Sequence, residues 1–267
     1  MKIAAAQMIS GPDVPANLAS AGELIAEAAG QGAQLIALPE YFPMIGASDA
    51  DRLAAREAPG KGPIQDFLAE SARRHGVWLI GGSLPLAADD ANKMRNSTLV
   101  YNPQGEVVAR YDKIHLFGFQ KGTEQYNESA TIEAGSTPIA FDTPFGRVGL
   151  AICYDLRFPE LFRNLGIVDL LVLPAAFTET TGQAHWELLL RARAVENQCY
   201  VLASAQGGRH PTGRLTYGNS MIIDPWGDVL ARMDKGNGVV VAELDAARLA
   251  EVRTMLPALQ HRKLFNV

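Results

Sequence analysis

Three residues of this chain could together perform acyl transfer, and each follows a short run of buried-strand character. Glu40 follows Leu35–Pro39, Lys113 follows Glu106–Tyr111, and Cys153 follows Val148–Ile152. A thiol at the exit of a rigid apolar strand is held firmly yet opens onto whatever lies beyond it, as a nucleophile must. The carboxylate could take the thiol proton and later activate water. The ammonium, with backbone N–H groups after Cys153, could stabilise negative charge developing on a carbonyl oxygen, and its charge should also favour the thiolate. Each residue has a plainer role: free cysteines usually serve as small hydrophobes, and strand-end Glu and Lys usually face solvent. The joint placement is what favours chemistry.

The elements that must hold the trio come as a faint internal repeat. Asn102–Lys113 matches Asp224–Lys235 across a Pro-x-Gly turn, and at the same offset Trp78–Gly82 aligns with Tyr200–Ser204. Leu35–Pro39 echoes Leu170–Pro174, and Ile3–Gln7 echoes Val148–Ile152. Each half reads strand, helix, strand, helix, then a strand and a hairpin. Pro15 opens a helix with apolar positions Leu18, Ala21, Ile25 and Ala28, ended by Gly30 and Gly32. Ile64–His75 is a second helix closed by Gly76, while Pro159–Gly166 and His185–Gln198 supply those of the second half. Strands this apolar need cover on both faces. Two sheets buried against each other with helices outside would provide it, which predicts an α/β fold, a four-layer α-β-β-α sandwich of two packed mixed sheets with a pseudo-two-fold repeat. No linker divides 1–267, so one domain is expected, with an extended C-terminal tail from about residue 257.

Composition narrows the function classes. A 267-residue chain with 48% hydrophobic and 20% charged residues can bury an ordinary soluble core. A net charge of −5 argues against a nucleic-acid partner, and no apolar run reaches a membrane span. The first residues are too soon interrupted by polar side chains for a secretory signal, and Cys153 and Cys199 read as free thiols in a reducing, cytoplasmic setting. The five histidines show no close ligand pair and neither cysteine has a CxxC neighbour, so no metal is expected. Gly81-Gly82 and Gly207-Gly208 lack the spacing of a phosphate loop. His185 and Trp186, read as a helix start, could suggest a Cys–His pair, but Glu40 and Lys113 already fill its roles. Cys199 reads as core.

Leu38-Pro-Glu40, Tyr111-Asp-Lys-Ile-His-Leu116 and Cys153-Tyr-Asp-Leu-Arg-Phe-Pro-Glu160 resemble, in order, the three signature segments of the nitrilase superfamily of carbon–nitrogen hydrolases. The resemblance runs from Lys2 to about Arg262. It implies the sandwich, Glu40 as general base, Lys113 as oxyanion stabiliser, Cys153 as nucleophile, no cofactor, and a homodimer or larger homo-oligomer with the tail packing on a partner. It also implies a second glutamate, for which Asn127–Thr131 nominates Glu128 over Glu124. Ala175–Phe177, Gly182–Leu189, Arg191–Ala194 and Cys199–Val201 resemble the amidase branch, Ala205–His210 and Met221–Gly227 look most like deaminated-glutathione amidases, and Thr180–Glu187 equally resembles omega-amidases of 2-oxoglutaramate and 2-oxosuccinamate. A small amide substrate carrying carboxylates is implied, with deaminated glutathione the first choice. The alternatives are an omega-amidase, a general aliphatic amidase or nitrilase, or, in a different class, an idle scaffold of the same fold. Substrate contacts are expected from Tyr154, Phe177, Arg209 and His210, with Arg209 on a cleft-rim loop, Gly207–Gly213. Arg157 is expected in an ion pair with Asp155 or Glu160.

Overall fold

The computed structural model describes residues 1–122 and 124–263, without the side chains of Asp49 and Glu124. Its first sheet is built on three parallel strands, β1 (Lys2–Gln7), β2 (Leu35–Ala37) and β3 (Trp78–Ile80). Antiparallel strands β4 (Leu84–Ala87), β5 (Met94–Tyr101) and β6 (Val107–Asp112) follow, with β3 and β4 on one side of β5 and β6 on the other. A two-stranded hairpin, β7 (Gly118–Lys121) and β8 (Glu124–Asn127), leads to a short 3₁₀ turn, Glu128–Ala130. The second sheet repeats the plan. Strands β9 (Ala140–Thr143), β10 (Gly146–Leu150), β11 (Leu170–Ala175), β12 (Tyr200–Ala205), β13 (Met221–Ile223) and β14 (Val229–Arg232) lie in that order, with β10, β11 and β12 parallel. The last strand, β15 (Gly238–Glu243), returns to pair antiparallel with β1, so the late part of the chain completes the first sheet.

The repeat is structural down to its irregularities. The β5–β6 register shifts between Val100 and Tyr101, and the β13–β14 register shifts between Ile222 and Ile223, the equivalent pair in the sequence match. A bulge bends and twists a strand locally, so both halves curve at the same place.

Helices cover the outer faces. α1 (Val14–Gly30) starts where Asp13 accepts the Ala16 N–H at 2.9 Å, with Pro15 in the first turn. α3 (Pro63–His75) ends at Gly76 in the left-handed conformation (φ 63°). Strand alternation sorts the core. Ala4 and Ala6 join Leu24, Ile25, Leu68 and Ala72 beneath these two helices, whereas Ile3 and Ala5 join Leu171, Leu202 and Ile222 in the cluster shared by the two sheets. The second sheet is covered by α4 (Pro159–Asn164) and α5 (Glu179–Asn197), and α6 (Ala246–Met255) follows β15. The four layers of the sandwich are thus helices, sheet, sheet and helices. Among the described residues no helix is long and apolar enough to cross a membrane.

Local details differ from the sequence reading. α5 begins at Glu179, not His185, because the Thr178 side chain caps the Thr181 N–H at 3.2 Å. A short helix, α2 (Asp49–Ala54), and the β7–β8 hairpin have no counterpart in the sequence reading. The tail does not leave as an extended strand: Leu256 O accepts from Gln198 Nε2, and Ala258–His261 is a turn. Its end, 264–267, lies outside the described residues.

Candidate functional site

Glu40 and Cys153 both stand just beyond parallel strands, one in each sheet, at sharp backbone turns. Tyr41, directly after Glu40, has φ 56° and Cys153 has φ 49°. Non-glycine residues reach this region at a cost of about 1–3 kcal/mol, so the surroundings must enforce it. At Cys153 the enforcer is Asp155. Fully buried, it accepts the Ile152 N–H at 2.9 Å and the Tyr111 hydroxyl at 2.7 Å with Oδ2. Its Oδ1 accepts the His115 N–H at 3.0 Å and lies 2.7 Å from His115 Nδ1. One carboxylate thus ties the cysteine turn to the segment on either side of Lys113.

Two glycines let backbones close in behind the other members. At Gly82 (φ +53°) a Cβ would lie 2.2 Å from Pro39 O, beside Glu40. At Gly135 it would lie 2.2 Å from Asp112 O, and the Gly135 N–H donates to Lys113 O at 2.9 Å. The Gly81-Gly82 pair, which makes no phosphate loop, instead packs the β3 exit against the Glu40 turn.

Lys113 is fully buried between two carboxylates. Its Nζ donates to Glu40 Oε1 at 2.9 Å and to Glu128 Oε2 and Oε1 at 2.8 and 3.1 Å. Glu40 also accepts from Asn96 Nδ2 and from the Ala176 N–H, each at 2.9 Å. Glu128 also accepts from the Tyr41 hydroxyl at 2.8 Å and the Phe117 N–H at 2.7 Å. Burial alone would strip the charge from Lys113, but Glu128 and then Glu40 outweigh it and hold the ammonium well above its ordinary range. Burial likewise works against the Glu128 carboxylate, and the Lys113 charge with its hydrogen bond overcomes it, leaving Glu128 below its ordinary value. The side chain of Glu124, the rival to Glu128, lies outside the described residues.

Cys153 behaves differently from expectation. Burial, then the Glu40 charge, pushes its thiol well above the usual range. Lys113 and the Ala176 N–H pull the other way and do not prevail. The raised value keeps the sulfur a neutral thiol near the Glu40 carboxylate. The Ala176 amide, bonded to Glu40 Oε2 and acting on Cys153, stands between the two.

Two cavities adjoin this cluster. The narrower is lined by Cys153, Tyr154, Arg157, Phe177 and Thr181, with Phe117 on its edge. Arg157 is not ion-paired to Asp155 or Glu160. Its guanidinium lies 5.4 Å from the Phe177 ring centroid and 5.8 Å from that of Tyr154, and Nη1 donates to His185 Nδ1 at 3.1 Å. His185 is exposed on α5 and serves Arg157, while the neighbouring Trp186 is core, its Nε1 donating to Asn219 O at 2.8 Å. The wider cavity, about 330 Å³, lies beyond Phe117 and Glu128 and is walled by Arg52, Tyr126, Thr212 and Arg214.

The rim loop meets this wider cavity through different residues from those expected. Arg209 is exposed and lines neither cavity. It bridges to Leu215 through the backbone. His210 is buried, with Nδ1 2.8 Å from Ser10 O and Nε2 2.7 Å from Thr216 Oγ1, and burial lowers its pKa. It ties the loop down. The sequence reading also passed over Tyr41, Asn96 and Phe117, and gave Asp155 only as a partner for Arg157. Tyr41 and Asp155 sit inside or beside the matched segments, but hydrogen-bond partners in distant strands gave them no local signal. Cys199 is fully buried, and among the described residues no three His, Cys, Asp or Glu side chains group as a metal site.

The chain also matches known proteins in sequence and in fold. The family model for carbon-nitrogen hydrolases matches residues 2–254. A deaminated glutathione amidase of Synechocystis is 44% identical over 97% of this chain and 97% of its own. An omega-amidase of Xenopus laevis is 39% identical over 100% of this chain and 97% of its own. The solved structure of a variant amidase from Nesterenkonia sp. AN1, in which acrylamide has added to the active-site cysteine, superposes with a TM-score of 0.78 at 28% identity, covering 96% of this chain and 98% of that one. By sequence and fold alike, the chain belongs to the carbon–nitrogen hydrolase family, as an amidase.

Proposed function

We propose that the enzyme hydrolyses the omega-amide of a 2-oxo dicarboxylate, first of all deaminated glutathione, through a thioester on Cys153. Glu40 takes the Sγ proton as sulfur attacks the amide carbon. The oxyanion forms against Lys113, helped by the backbone amides that follow Cys153. The intermediate collapses with cleavage of the C–N bond, and Glu40 returns the proton to the leaving nitrogen. Water then attacks the thioester, giving its proton to Glu40, and the acid departs as the thiol re-forms. Glu128 holds Lys113 in place. The observation that carries this reading is the buried ammonium shared by two carboxylates beside a cysteine at a strained turn. An idle scaffold has no reason to bury three charges at strand ends.

The acyl half must lie beside Cys153, at the narrow cavity. Tyr154 and Phe177 wall it, and Arg157, held by a histidine and two ring faces, supplies a cation that a substrate carboxylate can claim. An omega-amidase acting on 2-oxoglutaramate would use the same acyl half, and the Xenopus relative supports keeping that reading. We also propose a cytoplasmic setting, supported by two free, buried cysteines, and a homodimer or larger assembly, supported by exposed Leu188 and Val195 on α5, Trp226 in the β13–β14 turn and Leu230 on β14. Residues 1–267 act as one domain in this reading, since β15 closes the first sheet. The test is a kinetic panel of deaminated glutathione, 2-oxoglutaramate, an aliphatic amide and a nitrile, run on wild type and Cys153→Ala together with thermal melting. Turnover of the 2-oxo amides should dominate and vanish in a folded Cys153→Ala variant. Preference for the nitrile or the plain amide overturns the substrate, and surviving activity overturns the nucleophile.

A further inference from the structure

Deaminated glutathione and 2-oxoglutaramate present the same acyl half and differ in what leaves. From the small amide the leaving group is ammonia. From deaminated glutathione it is a dipeptide ending in a glycine carboxylate, which needs space and a cation on the far side of the scissile bond. We infer that the cavity of about 330 Å³ beyond Phe117 is the leaving-group subsite, and that Arg214 binds the terminal carboxylate there. This rests on the 2-oxo-amidase reading above and adds to it the residue that separates the two substrates.

Position is the first argument. Phe117 walls both cavities, and Glu128, whose Oε2 accepts the Phe117 N–H, lines the wider one. A substrate with its acyl half beside Cys153 and Arg157 therefore has its amine half directed past Phe117 into the wider space. The volume falls within the range of small-ligand pockets, about 300–1,000 Å³.

The walls supply the second argument. Arg214 packs its guanidinium 5.4 Å from the Tyr126 ring centroid, an arrangement that fixes the cation without consuming its donors. Among the described residues it forms no ion pair, and its Nε and the Thr212 Oγ1 are buried without a hydrogen-bond partner. With no ion-pair partner among the described residues, the Arg214 charge is left to meet an anionic group in the cleft. Arg52 lines the same cavity and adds positive charge. The one carboxylate lining it whose partners are described, Glu128, is already satisfied by Lys113, Tyr41 and Phe117.

The third argument is rigidity. His210 pins the loop to Ser10 O and Thr216, the Arg209 and Leu215 backbones bridge, and the His210 N–H donates to Arg214 O at 2.9 Å. Arg214 is presented by a braced hairpin, so little order need be gained on binding.

The test compares kcat/KM for three substrates: deaminated glutathione, its analogue with the terminal carboxylate converted to a carboxamide, and 2-oxoglutaramate. Wild type should prefer the acid over the carboxamide by about 10- to 100-fold, the range of a charge-assisted hydrogen bond. Arg214→Ala should erase that preference and lower the ratio of deaminated glutathione to 2-oxoglutaramate by a similar factor, while Arg214→Lys keeps part of it. Equal use of acid and carboxamide by wild type overturns the inference even if the variants fold poorly, and so does an equal loss on all three substrates in Arg214→Ala. In both cases the 2-oxo-amidase reading stands, because the substrates are still hydrolysed. Failure of wild type to hydrolyse any of the three removes that reading and the subsite with it.

Discussion

Replacing Lys113 with methionine keeps the shape of the stem and removes the charge, which makes it the sharpest probe of the buried cluster. The variant leaves Glu40 and Glu128 facing each other with no cation between them. Each keeps some support, Glu40 from Asn96 and Ala176, Glu128 from Tyr41 and Phe117, so neither is wholly orphaned. Breaking a buried ion pair from one side costs about 3–5 kcal/mol. At about 2–4 °C per kcal/mol for a chain near this size, Tm should fall by roughly 6–20 °C at pH 8. Turnover should fall by at least about 10²-fold, the scale of losing one oxyanion donor.

The pH dependence gives the test its direction. In wild type the Glu128 carboxylate is lowered when folded, so its contribution is present at neutral pH and is lost only on acidification below the ordinary value of 4.5. Lys113 is raised when folded, so its contribution is lost only above its ordinary 10.5. Neither group makes wild-type stability change between pH 5.5 and 8. In Lys113→Met, burial and mutual repulsion raise a carboxylate above its unfolded value. The folded state then binds the extra proton, so the variant's stability deficit relative to wild type, in which buried His210 responds equally, must shrink as pH falls through that window. Urea denaturation at pH 8 and pH 5.5 measures it. A variant as stable as wild type at both values, or one whose deficit relative to wild type fails to shrink on acidification, refutes the charge-balance argument even if activity is lost.

Two further outcomes follow from the same geometry. Iodoacetamide should alkylate Cys153 well before Cys199 in peptide maps, because Cys153 opens on a cavity while Cys199 is fully buried; since burial pushes both thiols up, equal labelling would contradict the access and Glu40-base argument. Gly82→Ala should destabilise by more than about 1 kcal/mol and depress kcat, because its Cβ meets Pro39 O at 2.2 Å at a positive φ; a urea midpoint and kcat both unchanged would show that the Glu40 turn tolerates displacement.

The frame of the molecule was legible in the chain because it rests on local patterns. Apolar runs marked β1, β2, β10 and β11, Pro15 and Gly76 marked helix ends, and the repeat placed Glu40 and Cys153 at matching strand exits. What stayed hidden depends on partners far away in sequence. Asp155 reads as an ion-pair partner for nearby Arg157, yet it is bonded to Tyr111 and His115 across the sheets. The sequence pointed to Arg209 on the Gly207–Gly213 loop, whereas Arg214, just past that loop, is the arginine that lines the cavity; the Arg209–Leu215 backbone bridge gave no local signal. The thiolate expected at Cys153 failed for an energetic reason. One ammonium was weighed, but the burial of the sulfur and the opposing charge of Glu40 were not visible.

That neutral thiol fits the proposed chemistry better than a preformed thiolate would. The buried cluster holds two carboxylates and one ammonium, a single net negative charge. Were Cys153 ionised at rest, a second negative charge would share the same low-dielectric space, which is costly. In the proposed step the proton passes from Sγ to Glu40 as the oxyanion appears on the substrate, so the negative charge moves from Glu40 to the carbonyl oxygen and none is created. Lys113, bonded to Glu40 at 2.9 Å and to Glu128 at 2.8 Å, can follow the transfer by strengthening its contact with the oxyanion while Glu128 holds it in place. A second glutamate is needed for that reason: without it, protonation of Glu40 would leave the ammonium buried with no anion except the short-lived one it stabilises.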